Sequence, residues 1–148
     1  MLGRHPDGTW RDARRFGLPA AHPGLAILRF DGPLHFVNAA TFEDAVLAVE
    51  RDHPQLKVLL ISSAGINDID ASGIDTLRRL RRQLAAGGRR LACCGLKKQV
   101  IDVLERTGLW ATLATHAAYR HEDDALPHLL PLLGAAPPPP PVRRGLEW

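Results

Sequence analysis

The feature that most constrains the fold is a predicted junction of a strand, a polar turn and a helix in the middle of the chain. Residues 57–62, Lys-Val-Leu-Leu-Ile-Ser, have the length and the β-branched, apolar content of a buried strand. Residues 70–77, Asp-Ala-Ser-Gly-Ile-Asp-Thr-Leu, then lead into apolar positions at helical spacing, namely Ile74, Leu77, Leu80 and Leu84. A helix start leaves backbone N–H groups unpaired and carries a partial positive charge. The junction is therefore the first candidate for an anion or phosphate site.

The composition is that of one ordinary globular domain. With 148 residues, the chain is long enough for one domain with a core but too short for two full domains. It carries a formal net charge of +3 and is 45% hydrophobic. Aromatic residues make up only 5% of the chain, which disfavours nucleic-acid binding. No apolar run approaches the roughly 20 residues that cross a bilayer, and the start lacks the apolar core of a signal peptide. We therefore expect a soluble, cytosolic chain in which the adjacent Cys93 and Cys94 form no disulfide framework.

Strands and helices are predicted to alternate along residues 24–133. Short apolar runs indicate four strands and a weaker fifth, at residues 25–30, 34–37, 57–62, 91–94 and 112–115. The first two flank an Asp-Gly-Pro turn signal and are expected to form a hairpin or a bent extended pair. Helical spacing and end signals indicate four helices, at residues 39–51 with Asn38 as N-cap, 71–86, 96–107 and 122–133. This order predicts an α/β fold, with a mixed sheet built from parallel βαβ units and covered by helices.

The two ends of the chain differ from the middle. Residues 1–23 are polar and interrupted by Gly and Pro, so we predict a lead-in or linker segment there. Residues 134–148 contain a run of five prolines, which predicts a stiff, solvated, proline-rich tail outside the core. In the last helix, Pro127 is expected to lie in the first turn, and Pro131 is expected to end or kink the helix.

Ser72 is the residue of most interest at the junction. Ser72, Gly73 and Asp75 fit a capping box, in which a serine and an acid three residues later satisfy unpaired N–H groups. The spacing favours this cap over the alternative, in which Ser72 accepts a phosphate or contacts an anion. Asp68 and Asp70 supply too few oxygen ligands for a metal ion by themselves. We expect them to be polar turn residues, one of which assists the cap.

Arginines gather on the helix that follows the junction. Arg78, Arg79, Arg81 and Arg82 have few acids near them in sequence, and two further arginines follow the helix. A solvated outer face is the favoured interpretation of such a charge run. The alternative is a docking patch for an acidic protein or for anionic headgroups, and the absence of interleaved aromatic residues further disfavours nucleic acid.

The sequence contains no catalytic or metal-binding pattern. Cys93 and Cys94 lack Cys-x-x-Cys spacing, and the seven histidines form no pair at helical ligand spacing. A phosphate-binding Gly-x-x-x-x-Gly-Lys-Ser/Thr loop and a Gly-x-Ser-x-Gly elbow are both missing from the sequence. We therefore expect neither an enzyme nor a metal site.

Three segments resemble the STAS domain, a regulatory module of anion transporters and of anti-sigma-factor antagonists. They are residues 25–39, which contain Phe-Asp-Gly-Pro-Leu-His-Phe, residues 58–61, and residues 69–77 with Asp-Ala-Ser-Gly-Ile. The Phe-Asp-Gly-Pro-Leu-x-Phe stretch favours the subtype at the cytoplasmic C-terminus of SulP-type (sulfate permease) transporters. Residues 9–16 also resemble the segment that joins such a domain to the last membrane helix.

The resemblance implies a mixed sheet of four or five strands packed by about four helices, and no enzymatic activity. It implies a cytoplasmic regulatory and assembly domain of a SulP-type secondary anion transporter, whose partners are the membrane domain in cis or a second STAS domain. An acidic carrier protein is a further expected partner, with no cofactor beyond weak nucleotide binding. The alternative is a free-standing signalling protein like the anti-sigma-factor antagonists, switched by a kinase that phosphorylates Ser72. Contact with a membrane is expected only through the parent transporter, and the transported anion is not encoded in this chain.

Overall fold

Five strands form one mixed sheet in the order β2-β1-β3-β4-β5 in a computed structural model that describes residues 1–19 and 22–133. The strands are β1 (Leu2–Arg4), β2 (Trp10–Asp12), β3 (Leu25–Arg29), β4 (Val58–Ser62) and β5 (Arg90–Cys94). β3, β4 and β5 run parallel, in a register that pairs Leu25 with Val58 and Val58 with Arg90. Their almost uniformly buried side chains are typical of a parallel sheet covered on both faces. The predicted α/β class and mixed sheet are confirmed.

The helices divide between the two faces of the sheet. They are α1 (Ala13–Phe16), α2 (Phe36–Asp52), α3 (Ala71–Ala86), α4 (Lys98–Arg106), α5 (Leu109–Leu113) and α6 (Glu122–Leu129), with 3₁₀ segments at Ala114–His116 and Leu130–Leu133. Side chains from α2 to α5 form one core with Ala26, Leu28 and Cys93, whereas α6 and the last 3₁₀ segment form a second core with Ile27 and Cys94. The alternating direction of strand side chains explains why the adjacent cysteines enter different cores.

The first 23 residues contain sheet structure that the sequence did not predict. β1 pairs antiparallel with β2 and, through Leu2 and Ile27, with β3. The Arg4 guanidinium stacks on the Trp10 ring at 4.3 Å from its centroid, and both side chains bond to Asp123 in α6. Strands of three residues are too short to show an apolar periodicity, so only their long-range contacts define them.

Residues 34–37 were predicted as a strand paired with the first, and this is wrong. Only Leu34 pairs as a strand residue, in a single parallel bridge to Ile69, and the helix begins at Phe36 instead of Ala39. Asn38 lies inside the helix and donates to the Pro33 carbonyl at 2.8 Å instead of capping. The apolar run misled the prediction because the Phe36 and Val37 side chains face solvent.

The C-terminal part also differs from the prediction in detail. Residues 112–115 are not a strand, since they belong to α5 and the 3₁₀ segment that follows it. The last helix is present but gives way to a 3₁₀ segment at Leu130, whose side chain is 44% exposed. Pro127 lies in the second turn of α6, not the first. The predicted proline-rich tail lies outside the described residues, and within them no helix has the length and apolar character needed to cross a bilayer.

Candidate functional site

The junction predicted from the sequence brings together the starts of two helices, α2 and α3. The Leu34 N–H donates to the Asp68 carbonyl at 2.9 Å, and the Asp70 N–H donates to the Leu34 carbonyl at 3.2 Å. These two bonds hold the chain before α2 against the chain before α3. Gly73 permits the approach, because a Cβ there would lie 2.2 Å from the Leu34 carbonyl oxygen and 2.7 Å from Ile69 Cγ1.

One carboxylate caps both helices. Asp70 Oδ1 accepts from the Gly73 N–H at 2.9 Å in the first turn of α3, and Oδ2 accepts from the Phe36 N–H at 3.0 Å at the start of α2. The Gly73 N–H bond is the largest cause that lowers the pKa of Asp70, and the Phe36 N–H bond and the nearby His35 act in the same direction. A side chain of the protein therefore occupies the place where a bound anion would sit.

The predicted capping box of Ser72 and Asp75 is not formed. The N-cap of α3 is Asp70, so Ser72 already lies inside the first turn of the helix. The Ser72 carbonyl accepts from the Thr76 hydroxyl at 2.9 Å, and among the described residues the half-buried Ser72 hydroxyl makes no hydrogen bond. Asp75 is exposed and adds charge beside Arg79. Of the two turn aspartates, one of which was expected only to assist a serine cap, Asp70 is itself the cap.

Asp68, the other turn aspartate, pairs with a histidine. Its Oδ2 lies 2.9 Å from His35 Nε2, and the carboxylate side chain is 58% exposed. Across the residues placed in the structure, no three His, Cys, Asp or Glu side chains are grouped as a metal ion would require. Burial raises the pKa of Cys93 to about 12, which keeps this thiol protonated and unreactive.

An exposed apolar pair, which the sequence pattern did not reveal, lies next to this junction. Phe36 and Val37 form the first turn of α2, and each is 77% exposed. Their neighbours are polar, namely Asp70, whose carboxylate accepts the Phe36 N–H, and the pair of His35 and Asp68. The sequence does contain a signal for this pair. An amphipathic helix that lies on a sheet has polar residues at its solvent-facing positions, and Phe36 and Val37 break this pattern in the first turn of α2.

The predicted arginine patch separates into two sets. Arg79 points towards α2, where its Nη2 lies 2.8 Å from Glu43 Oε2, an ion pair that also raises the pKa of Arg79. Arg89 lies beyond the end of α3 and also pairs with α2, where its Nη1 is 2.7 Å from Glu50 Oε2. The acids that the local sequence lacked are therefore supplied by α2. Arg78, Arg81 and Arg82 lie on the other side of α3, towards α4 and α5.

These three arginines line a groove of about 390 Å³ between α3 and the α4–α5 corner. The rest of its lining is Thr107, Gly108, Leu109 and Thr112. Arg78 donates to the Thr107 carbonyl, and Arg82 Nε donates to the Arg78 carbonyl at 3.4 Å. Arg81 Nε is buried and has no partner within the described part of the chain. The sequence revealed this cluster of arginines but not the groove or the separation from Arg79.

The sequence of the chain places it in a family. The STAS domain family matches residues 19–125, so the chain belongs to the STAS domain family. A protein of Mycobacterium tuberculosis named as a probable sulfate transporter is 30% identical over 110 residues, covering 74% of this chain and 19% of that protein. The chain thus spans about a fifth of the length of the curated relatives it matches. The matched family is not an enzyme family.

Solved structures confirm the fold. The murine solute carrier 26 family member A9 anion transporter, in its inward-facing state, matches with a TM-score of 0.76 and 18% identity, over 88% of this chain and 22% of that one. The STAS domain of a SulP transporter from Vibrio cholerae matches with a TM-score of 0.63 and 21% identity, over 82% of this chain and 93% of that one. The expected STAS-like fold is thereby confirmed.

Proposed function

We propose that the chain is the cytoplasmic STAS domain of a SulP-type secondary anion transporter and acts there through protein–protein contact. The observation that carries the proposal is the partial overlap with sulfate transporters, which match this chain over about a fifth of their own length. A domain that recurs as a small part of longer transporters has the rest of that protein as its nearest partner.

The contact surface is the face around the starts of α2 and α3. Phe36 and Val37 supply exposed apolar area, and Asp68 and Asp70 surround it with negative charge. Exposed apolar side chains beside polar ones are typical of protein interfaces. The proposed occupant is the membrane domain of the same transporter, because its cytoplasmic loops carry an excess of Lys and Arg that would face these acids.

Two measurements test the proposal. The native open reading frame is expected to encode a series of apolar helices upstream of this domain, and a frame without them would overturn the transporter assignment. The second measurement is capture of the separately expressed membrane domain, in detergent, by the tagged 148-residue chain. Changing Phe36 and Val37 together to Ser is expected to weaken capture by about tenfold or more, the loss of two buried apolar side chains.

Leu130→Ser is the matched control, since Leu130 is 44% exposed and follows α6, on the opposite face of the sheet. Capture by this variant should equal that of the unmodified chain. Equal capture by all three chains would show that the contact lies elsewhere. Self-association without capture of the membrane domain would instead identify a second STAS domain as the occupant.

The signalling alternative depends on Ser72. Its hydroxyl has no hydrogen-bond partner among the described residues, and a phosphate there would lie in the first turn of α3. The Asp70 carboxylate already accepts the Gly73 N–H of this turn, so a phosphate on Ser72 would lie close to a negative charge. The curated relatives reported above are transporters, and the alternative is therefore not favoured.

A further inference from the structure

The groove between α3 and the α4–α5 corner concentrates positive charge without a counter-charge. Arg78, Arg81 and Arg82 line it, and no carboxylate of the described residues lies within 4.0 Å of any of the three guanidiniums. Arg79 and Arg89, by contrast, are each paired with a glutamate of α2. Within one arginine cluster, some side chains are therefore neutralised by an ion pair and the three in the groove are not.

The groove also contains an unsatisfied donor. Arg81 Nε is buried, and nothing in the described part of the chain accepts its proton. A buried N–H of a charged group normally has an acceptor, so this position calls for one supplied from outside the chain. Arg78 uses one of its N–H groups on the Thr107 carbonyl, which fixes its guanidinium at the groove wall and leaves further donors free.

The remaining lining suits a small anion. Thr112 supplies a hydroxyl group, whereas the Thr107 hydroxyl already donates to the carbonyls of Val103 and Leu104. Leu109 is apolar, and no acid of the described residues lines the groove. Gly108, at φ 80°, has no side chain at the rim, and a Cβ built there would meet nothing within 4 Å. A groove of about 390 Å³ has room for a tetrahedral anion together with water or a short organic group.

We propose that this groove binds a tetrahedral oxyanion, either as free phosphate or sulfate or as the phosphate of a small organic ester. Guanidinium groups that line one groove suit such an anion, because each can offer parallel N–H donors to two of its oxygens. Arg81 would donate its buried Nε–H to the anion, and Arg78 and Arg82, one turn apart on the same helix, would add further donors from the α3 wall of the groove. The site is separate from the contact surface at Phe36 and Val37, so the transporter assignment does not depend on it.

Isothermal titration calorimetry on the 148-residue chain, at constant ionic strength, tests the site. The ligands are inorganic phosphate, inorganic sulfate and glycerol phosphate, with chloride as the control anion. We expect saturable binding of at least one tetrahedral anion with a Kd below about 1 mM. Changing both Arg78 and Arg81 to Gln should weaken it by about tenfold or more, the loss of two charge-assisted contacts.

Arg51→Gln is the matched control, since Arg51 lies at the end of α2 with a side chain 75% exposed, and it should bind as the unmodified chain does. The single variant Arg81→Gln keeps the Arg78 bond to Thr107, so weaker binding by this variant cannot result from loss of that bond. Thermal unfolding verifies the fold of every variant. Tighter binding of glycerol phosphate than of phosphate identifies an organic phosphate as the ligand, and equal or weaker binding identifies the free ion. Absence of saturable binding, or equal affinity in the arginine variants, overturns the proposal.

Discussion

Helix α3 carries two regions that attract negative charge, and they differ in whether the protein itself supplies that charge. At its start, the Asp70 carboxylate accepts the N–H groups of Gly73 and Phe36, so the protein itself supplies the anion. Two turns later, Arg78 and Arg81 face a groove in which nothing in the described residues supplies one. The start of α3 is thus already neutralised by the protein itself, whereas the groove two turns later is not.

The two regions also differ in what holds them together. The junction is maintained by short backbone contacts, a glycine without room for a side chain and a carboxylate shared between two helices. The groove is lined by side-chain ends, with the Arg78 bond to Thr107 as its link between α3 and the end of α4. Substitutions should therefore affect stability at the junction and binding at the groove.

The largest effect is expected for Gly73→Ala. The new Cβ would lie 2.2 Å from the Leu34 carbonyl oxygen, a backbone atom that cannot move without breaking its bond from Asp70. Overpacking of this kind costs about 3 kcal/mol in the free energy of unfolding. Urea denaturation measures the loss, with Ala71→Gly as a control for backbone freedom in the same helical turn, expected to cost no more than about 1 kcal/mol. A change for Gly73→Ala no larger than the control would show that the helix starts are not in tight contact.

The next effect separates Asp70 from Ser72. Asp70→Ala removes the acceptor at two helix starts and should lower the midpoint of urea denaturation clearly. Ser72→Ala removes a hydroxyl that caps nothing, so its unfolding free energy should stay within about 0.5 kcal/mol of the unmodified chain. If the order were reversed, Ser72 would be the cap and the helix start would be open to an external anion.

The pH dependence of stability is a finer test of the same carboxylate. Donation from the Gly73 N–H, supported by Phe36 and His35, holds the pKa of Asp70 below its ordinary value of 3.8. Because the folded pKa is lower than the unfolded one, the contribution is fully present above about pH 4 and is lost as pH falls through the folded pKa. The difference in denaturation midpoint between the unmodified chain and Asp70→Asn should therefore shrink on acidification. A difference that is constant with pH would contradict the role of the charge.

The smallest effect on stability is expected at the groove. Arg81→Gln removes a buried Nε that has no partner among the described residues, so the free energy of unfolding should change by no more than about 0.5 kcal/mol. Denaturation without added anion measures this, and added phosphate should stabilise the unmodified chain more than the variant. A large loss of stability without anion would mean that Arg81 is a structural side chain.

The fold was largely predictable from local patterns. Buried apolar runs predicted the parallel strands β3, β4 and β5, and helical spacing predicted α2, α3, α4 and α6. The hairpin of β1 and β2 was missed because its short polar strands are defined by pairing with distant residues. The start of α2 was misplaced because its first two side chains are apolar yet exposed, which mimics a buried strand.

The site was predictable in place but not in detail. The turn and helix at residues 70–77 indicated the junction, yet the bond from Phe36 to Asp70 joins residues 34 positions apart and no local pattern reveals it. The run of arginines was equally visible. The glutamates that neutralise some of its members lie on α2, so only the tertiary structure distinguishes Arg79 from Arg81.

Nuclear magnetic resonance of the ¹⁵N-labelled chain tests the contrast between the two regions most directly. Titration with phosphate and with sulfate, at constant ionic strength, reports on both regions in one experiment. We expect saturable shifts of the Arg81 Nε–H and of the Thr107 and Gly108 amides, while the Gly73 and Phe36 amides remain unchanged. Saturable shifts at Gly73 and Phe36, with none in the groove, would contradict the account.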